Sequence, residues 1–267
     1  MTLLESEWTK LRSTRLLVLA AAAAIGLSVL VTTLLGVAMG SREAYCAAPD
    51  AACRHPGFDS DTTIVTAGVL GDGVPGAGLS AVMLLGALCL LVEYRHHTIA
   101  TAFMATPRRW PVLLAKAGVI SAAAFVTGGV ATILSALAFR LVGGRAAAGI
   151  DPWSADAVDI YLRTALVAAV AALFALGLAA IIRNVLVTAA VVVLWPALFE
   201  TLLPSLLPGV GEQIAGFLPF VNARNFVGMQ DGITLPWGQL GSGIYFLLVV
   251  LALLTAGMAV VRRADVR

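Results

Sequence analysis

The sequence predicts an all-α membrane protein, a single transmembrane domain over residues 1–267 with six transmembrane helices. An interfacial helix precedes the first span, and a short helix lies in the loop between the second and third. Three observations predict this. Hydrophobic residues make up 60% of the chain and charged residues 12%, with a mean hydropathy of +0.96, whereas a soluble domain carries about 25% charge. The apolar residues fall in runs near the roughly 20 residues that a spanning helix needs. Those runs are continuous and do not alternate, which excludes a membrane barrel, and only helices or closed barrels satisfy the backbone in lipid. The formal net charge of +2 is too small to point to nucleic acid, so what matters is where the charges fall along the chain.

The N-terminal stretch LLESEWTKLR places Leu3, Leu4, Trp8 and Leu11 on one arc of a helix and Glu5, Ser6, Thr9, Lys10 and Arg12 on the remainder. Residues 1–15 are therefore read as an interfacial helix on the inner leaflet, anchored by Trp8, Lys10 and Arg12. The first span, about 16–39, is far longer than a signal-peptide core of roughly 7 to 15 residues, so it is read as uncleaved. The loop that follows, SREAYCAAPDAACRHPGFDSD, carries Cys46 and Cys53. Outside the cell a disulfide between them would close a small loop; two separate thiols are the alternative. His55 beside Cys53 adds a third ligand at a spacing that suits zinc poorly, so no metal site is read. The second span covers about 77–92, with Cys89 as a packing residue.

The loop after that span reads VEYRHHTIATAFMATPRR, residues 92–109. Ile99, Ala102 and Phe103 recur at helical spacing on a short stretch that the Thr106–Pro107 junction should end. Thr106 can cap the next helix, with Pro107 in its first turn. Phe103, with Met104 alongside, suits insertion into a partner's groove. The plainer reading makes Arg95, Arg108 and Arg109 topological anchors only. The remaining spans are about 117–142, 161–182, 185–203 and 241–261.

Six spans put both termini on one side, together with the loops at 93–116 and 183–184. That side carries eleven Lys and Arg against four carboxylates, and the other carries six against eleven. The excess of Lys and Arg places both termini, and the 92–109 loop, in the cytoplasm of a multi-pass cell-membrane protein.

Between spans five and six, LPSLLPGVGEQIAGFLPFVNARNFVGMQDGITLPWGQL is broken by Gly and Pro. Its apolar pieces, Gln213–Leu218 and Asn225–Met229, are too short to span and are expected to lie along the outer interface or to re-enter as half-helices. Pro196 should kink span five, and Glu200 one turn later is the only carboxylate within the six apolar spans. It is a candidate for the transport pathway or its gate; interfacial placement, with Arg224 as a partner, is the alternative.

Several motifs are absent or misplaced. GDGVPG at 71–76 matches GxGxxG by letter but follows no strand. The chain has no GxxxxGK[ST], no HExxH and no GxSxG, so it carries no phosphate-cradling loop and no obvious hydrolase centre. Asp151, Asp156 and Asp159 read as solvated loop charges. No internal repeat is visible, which counts against an inverted-repeat secondary transporter.

The order of EWTKLRS, EYRHHTIATAFMATPRR, LWPALFETLLPSLLP, LPFVNARNF and a terminal RRADVR resembles the ABC-2 type permease subunits of bacterial ATP-binding cassette transporters, over essentially the whole chain. Its most specific part is EYRxxTI followed by ATPRR, and it departs from the pattern at His97, where relatives often carry glycine. A high-GC bacterial source fits the arginine bias, fifteen of seventeen basic residues. The resemblance implies a subunit without catalytic residues or a cofactor of its own, paired with a second permease and with two ATPase subunits that bind ATP and Mg. It also implies a coupling helix at about Glu93 to Thr106. The residues expected to meet the ATPase are Glu93, Tyr94, Arg95, Thr98, Ile99, Phe103, Met104 and Arg108. Spans rich in Ala, Leu and Val favour a hydrophobic drug, lipid or lipid-linked substrate. The competing readings are a secondary transporter or channel, with Thr127, Thr132, Ser135 and Thr188 as mild polar candidates, and a membrane anchor that recruits a cytoplasmic protein.

Overall fold

The computed structural model describes residues 9, 15–46, 66, 69–70, 76–95, 110–147, 151–200, 202, 206, 210–229 and 235–263. Every regular element among them is helical. The long helices are α1 (Arg15–Cys46), α2 (Ala77–Arg95), α3 (Trp110–Val142) and α4 (Ala155–Ile182). They are followed by α5 (Val185–Leu194), two short helices α6 (Gly211–Ala215) and α7 (Pro219–Val227), and the last long helix α8 (Gln239–Arg263). Helices α1, α2, α3, α4 and α8 are long and apolar enough to cross a membrane, so the chain is a multi-pass helical membrane protein.

The expected span 185–203 takes a different form. It is α-helical for only ten residues, then widens into one turn of π-helix over Trp195–Phe199 before Glu200. Pro196 is the cause: it has no N–H to donate and its ring crowds the preceding turn, so the backbone bonds skip to five-residue spacing. The sequence reading of a kink at Pro196 thus appears as a wider turn. From Val185 to Glu200 the helical path rises about 22 Å, and Leu202 and Leu206 beyond it are also helical.

Other boundaries extend past the apolar windows. α3 begins at Trp110, before the expected residue 117, and α4 begins at Ala155, before the expected 161. α4 starts early because Ser154 caps it, its hydroxyl accepting from Ala157 N–H at 3.2 Å, with Asp156 in the first turn. The expected break at 183–184 is present. Arg183 adopts a left-handed conformation (φ 56°) that ends α4, and the Asn184 side chain caps α5 by accepting from Val187 N–H at 3.1 Å.

α4 is the centre of the bundle, packed against α2, α3 and α8. Its buried face is a column of alanines, including Ala165, Ala168, Ala171, Ala172, Ala175 and Ala179. In lipid there is little hydrophobic gain from joining two apolar helices, so close approach of small residues supplies the packing. A Cβ added at Gly86 of α2 would sit 2.4 Å from the carbonyl oxygen of Ala172, and one at Gly257 of α8 would sit 2.9 Å from that of Gly177. α1 packs on α2 and α3 but leaves Leu19, Leu30 and Leu34 exposed, as lipid-facing residues should be. One end of the bundle, the base, gathers Arg95, Trp110, Arg183 and Val260; α7 lies toward the opposite end.

Candidate functional site

Two buried polar clusters interrupt the apolar bundle. The first is at the base. Lys116, in the second turn of α3, is only 2% exposed, and its ammonium donates to Glu93 Oε1 at 2.9 Å. Glu93, 13% exposed, lies in the last turn of α2, so the pair joins the two helix ends that flank residues 96–109. An ionised pair out of water is tolerated only with close geometry, and this one is direct. Beside it, the Arg183 guanidinium stands over the Tyr94 ring, 5.7 Å from its centroid, and its Nη2 donates to the Val260 carbonyl at 3.2 Å. Arg183 thereby ties the ends of α2, α4 and α8 together. Arg95 ends α2 in an exposed position, where a cation complements the helix C-terminus.

Of the residues expected to meet a partner ATPase, Glu93, Tyr94 and Arg95 fall within this cluster. Thr98, Ile99, Phe103, Met104 and Arg108 lie outside the described residues, as do Trp8, Lys10 and Arg12 of the interfacial helix. Glu93 and Tyr94 are turned toward Lys116 and Arg183. Sequence reasoning counted Lys116 and Arg183 only as topological charges. A usable signal existed for Lys116: a lone lysine in LLAKAGVI needs a partner, and Glu93 is the carboxylate just across the loop.

The second cluster surrounds Glu200, 2% exposed. The π turn places residues five apart on one face, whereas in an α-helix they would be roughly 140° apart. Trp195 can therefore reach Glu200, and its indole N–H donates to Oε1 at 2.9 Å. Oε2 accepts from Val221 N–H at 2.9 Å. This matters because α7 starts at Leu218, whose side chain cannot cap it. Glu200 supplies the missing acceptor from another helix at the N-terminus of α7. Arg224, one turn further along α7, acts on the carboxylate electrostatically.

At the other end of α7, Gly228 (φ 104°) makes the left-handed stop, its N–H donating to Arg224 O and Asn225 O. Arg163 of α4 donates to Phe226 O at 3.2 Å, lies over the Phe226 ring and pairs with Asp159 at 2.7 Å. α7 is thus held between a carboxylate at its N-terminus and a guanidinium at its C-terminus. Its apolar face is fixed by Phe220, whose ring meets Phe174 at 5.3 Å and Phe246 at 5.5 Å. Asn222, fully buried, accepts from Trp237 Nε1 at 2.7 Å and donates to Gly216 O and Leu218 O. α7 runs antiparallel to α8, with Asn225 donating to Ser242 Oγ at 2.8 Å. The short helices here, Gly211–Ala215 and Pro219–Val227, overlap the expected apolar pieces 213–218 and 225–229 only in part.

Cys46 is the last residue of α1, and Cys53 lies outside the described residues. Cys89 is half-buried against the main core. Thr127 and Thr132 donate to carbonyls of their own helix, Ala123 O and Gly128 O at 2.8 Å each. Among the described residues no three metal-ligating side chains converge. Fold and composition define the class, a multi-pass helical membrane protein, which among the described residues carries the Glu93–Lys116 ion pair and the cross-capped helix α7. No protein-family model, curated protein or solved structure matches the chain.

Proposed function

We propose that the chain is the membrane-spanning permease subunit of an ABC-2 type ATP-binding cassette exporter. A second permease, identical or homologous, completes the pathway, and two separate ATPase subunits bind and hydrolyse Mg-bound ATP. The base faces the cytoplasm of the cell membrane, with both termini on that side. The substrate is a hydrophobic or amphipathic molecule, a drug, lipid or lipid-linked compound, moved outward through a path between the two permeases.

The observation that carries this reading is the base cluster. The segment with the EYRxxTI and ATPRR pattern, the most specific part of the family resemblance, connects two helix ends joined by the Glu93–Lys116 ion pair. A segment anchored so firmly at both ends suits the transmission of force from an external motor. The lack of a phosphate-binding loop in the sequence agrees with an energy source on another subunit. In this reading Phe103 and Met104 seat in the ATPase surface, Arg95 and Arg108 make rim contacts that set register, and closure of the ATPase pair displaces α2 and α3. Glu200, which holds α7 toward the outer side, is a candidate gate residue on this view.

The test is reconstitution with the copurifying ATPase in lipid vesicles. ATP-dependent movement of a fluorescent phospholipid or a hydrophobic dye, abolished when ATP is replaced by a non-hydrolysable analogue, supports an exporter. Movement driven by an ion gradient without ATP points to a secondary transporter, and binding of a cytoplasmic protein with no movement points to an anchor.

A further inference from the structure

Residues 96–109 connect the end of α2 to the start of α3. Two helix ends held only by apolar contacts would slide or splay when the segment between them is pushed, because packing against alanine and leucine has little directional preference. The base is built differently. Glu93 and Lys116 make a direct, water-excluded contact at 2.9 Å across those two ends. Next in sequence, Tyr94 lies against Arg183, and Arg183 in turn holds the backbone of α8 at Val260 while terminating α4. A non-glycine residue in the left-handed region costs energy, so this arginine is kept there by the contacts it makes. The chain of contacts runs from α3 through α2 to α4 and α8.

We infer that Glu93, Lys116 and Arg183 are positioning residues: they lock the end of α2 and the start of α3 to each other and to the base of α4 and α8, so that force applied at either helix end is carried into the whole base. The inference assigns the residues that would carry force inward, and its functional part rests on the exporter reading. It gives Glu93 a role inside the bundle, distinct from a contact with the ATPase itself.

The test is hydrogen exchange read by mass spectrometry on the full chain in nanodiscs, and again on its complex with the copurifying ATPase. In Glu93→Gln, the amides of residues 112–116 and 91–95 should exchange at least about tenfold faster than in the wild type, because weakening a buried charge pair lowers the local opening energy. The reversed pair, Glu93→Lys with Lys116→Glu, should recover most of that protection. Unchanged exchange in Glu93→Gln would overturn the lock.

A second variant guards against misfolding. Glu93→Leu with Lys116→Met keeps the base apolar and packed, a replacement that commonly preserves stability. In the wild-type complex, ATP and Mg should change exchange at the base of α4 and α8. In the apolar double variant that response should fall at least about tenfold while the ATPase still binds, the sign of a packed but unlocked base. A full response in the double variant would reduce the pair to a structural one and overturn the inference. If the wild-type chain brings no ATPase with it, or shows no response to ATP, the exporter reading fails, and the exchange comparison in nanodiscs still decides whether the pair locks the segment.

Discussion

Glu93 and Glu200 are both carboxylates buried in an apolar bundle, and the chain accommodates them in opposite ways. Glu93 meets a full positive charge, the Lys116 ammonium, across two antiparallel helices. Glu200 meets two neutral donors, the Trp195 indole and the Val221 amide, at the N-terminus of α7. The base therefore depends on a pair of side chains that can be exchanged or removed together. The α7 site depends on backbone geometry: a π turn that aims Glu200 and a helix whose own first residue cannot cap it. A lock between mobile ends suits the first arrangement, and a fixed insertion suits the second.

The largest expected effect breaks the base. Lys116→Ala removes the ammonium 2.9 Å from Glu93 and should destabilise the folded protein by up to about 3 to 5 kcal/mol, measured by reversible unfolding in mixed detergent micelles. If the loss is below about 1 kcal/mol, water reaches Glu93 more freely than its burial indicates. Next comes the α7 site. Glu200→Ala removes both hydrogen bonds, one of them the cap of α7, and should cost about 2 to 3 kcal/mol, with loss of exchange protection confined to residues 220–227. Glu200→Gln retains only one acceptor and should fall between wild type and alanine. Equal losses at α2 and α7 in either variant would erase the contrast between the two sites.

A smaller effect sharpens the picture of α7. Trp237→Phe removes the 2.7 Å donor to buried Asn222 and should cost about 1 to 2 kcal/mol, read from the same unfolding curves. The smallest is at the exposed rim. Asp159 is 55% exposed, so Asp159→Asn, which breaks its pair with Arg163, should change stability by less than about 1 kcal/mol and less still in high salt.

Much of the fold was legible because the bilayer imposes a length on apolar runs. The Arg183–Asn184 break was visible as the one polar pair between two such runs, and the structure explains it through a left-handed arginine and an asparagine cap. Helix ends were less legible, since apolar windows stop at the first charge whether or not the helix does. α3 continues through Lys116 because Glu93 satisfies it, and α4 extends out to Ser154 because solvent and a cap satisfy Asp156 and the first amides. The wide turn in the fifth apolar run was not legible, because the response of the backbone to Pro196 depends on what Trp195 and Glu200 can reach. α7 was the hardest to place. Its anchors, Arg163 and Glu200, lie 63 residues before Phe226 and 21 residues before Val221, and no local pattern records such partners.

The central claim, that an external ATPase drives this bundle through residues 96–109, is tested most directly by purifying the tagged chain from its native membrane in mild detergent. The account predicts that an ATPase bearing a GxxxxGK[ST] sequence is retained by the wild-type chain, and that retention falls at least about tenfold in Phe103→Ala, as loss of a central apolar anchor should produce. Purification without such an ATPase, or equal retention by the Phe103→Ala chain, would contradict it.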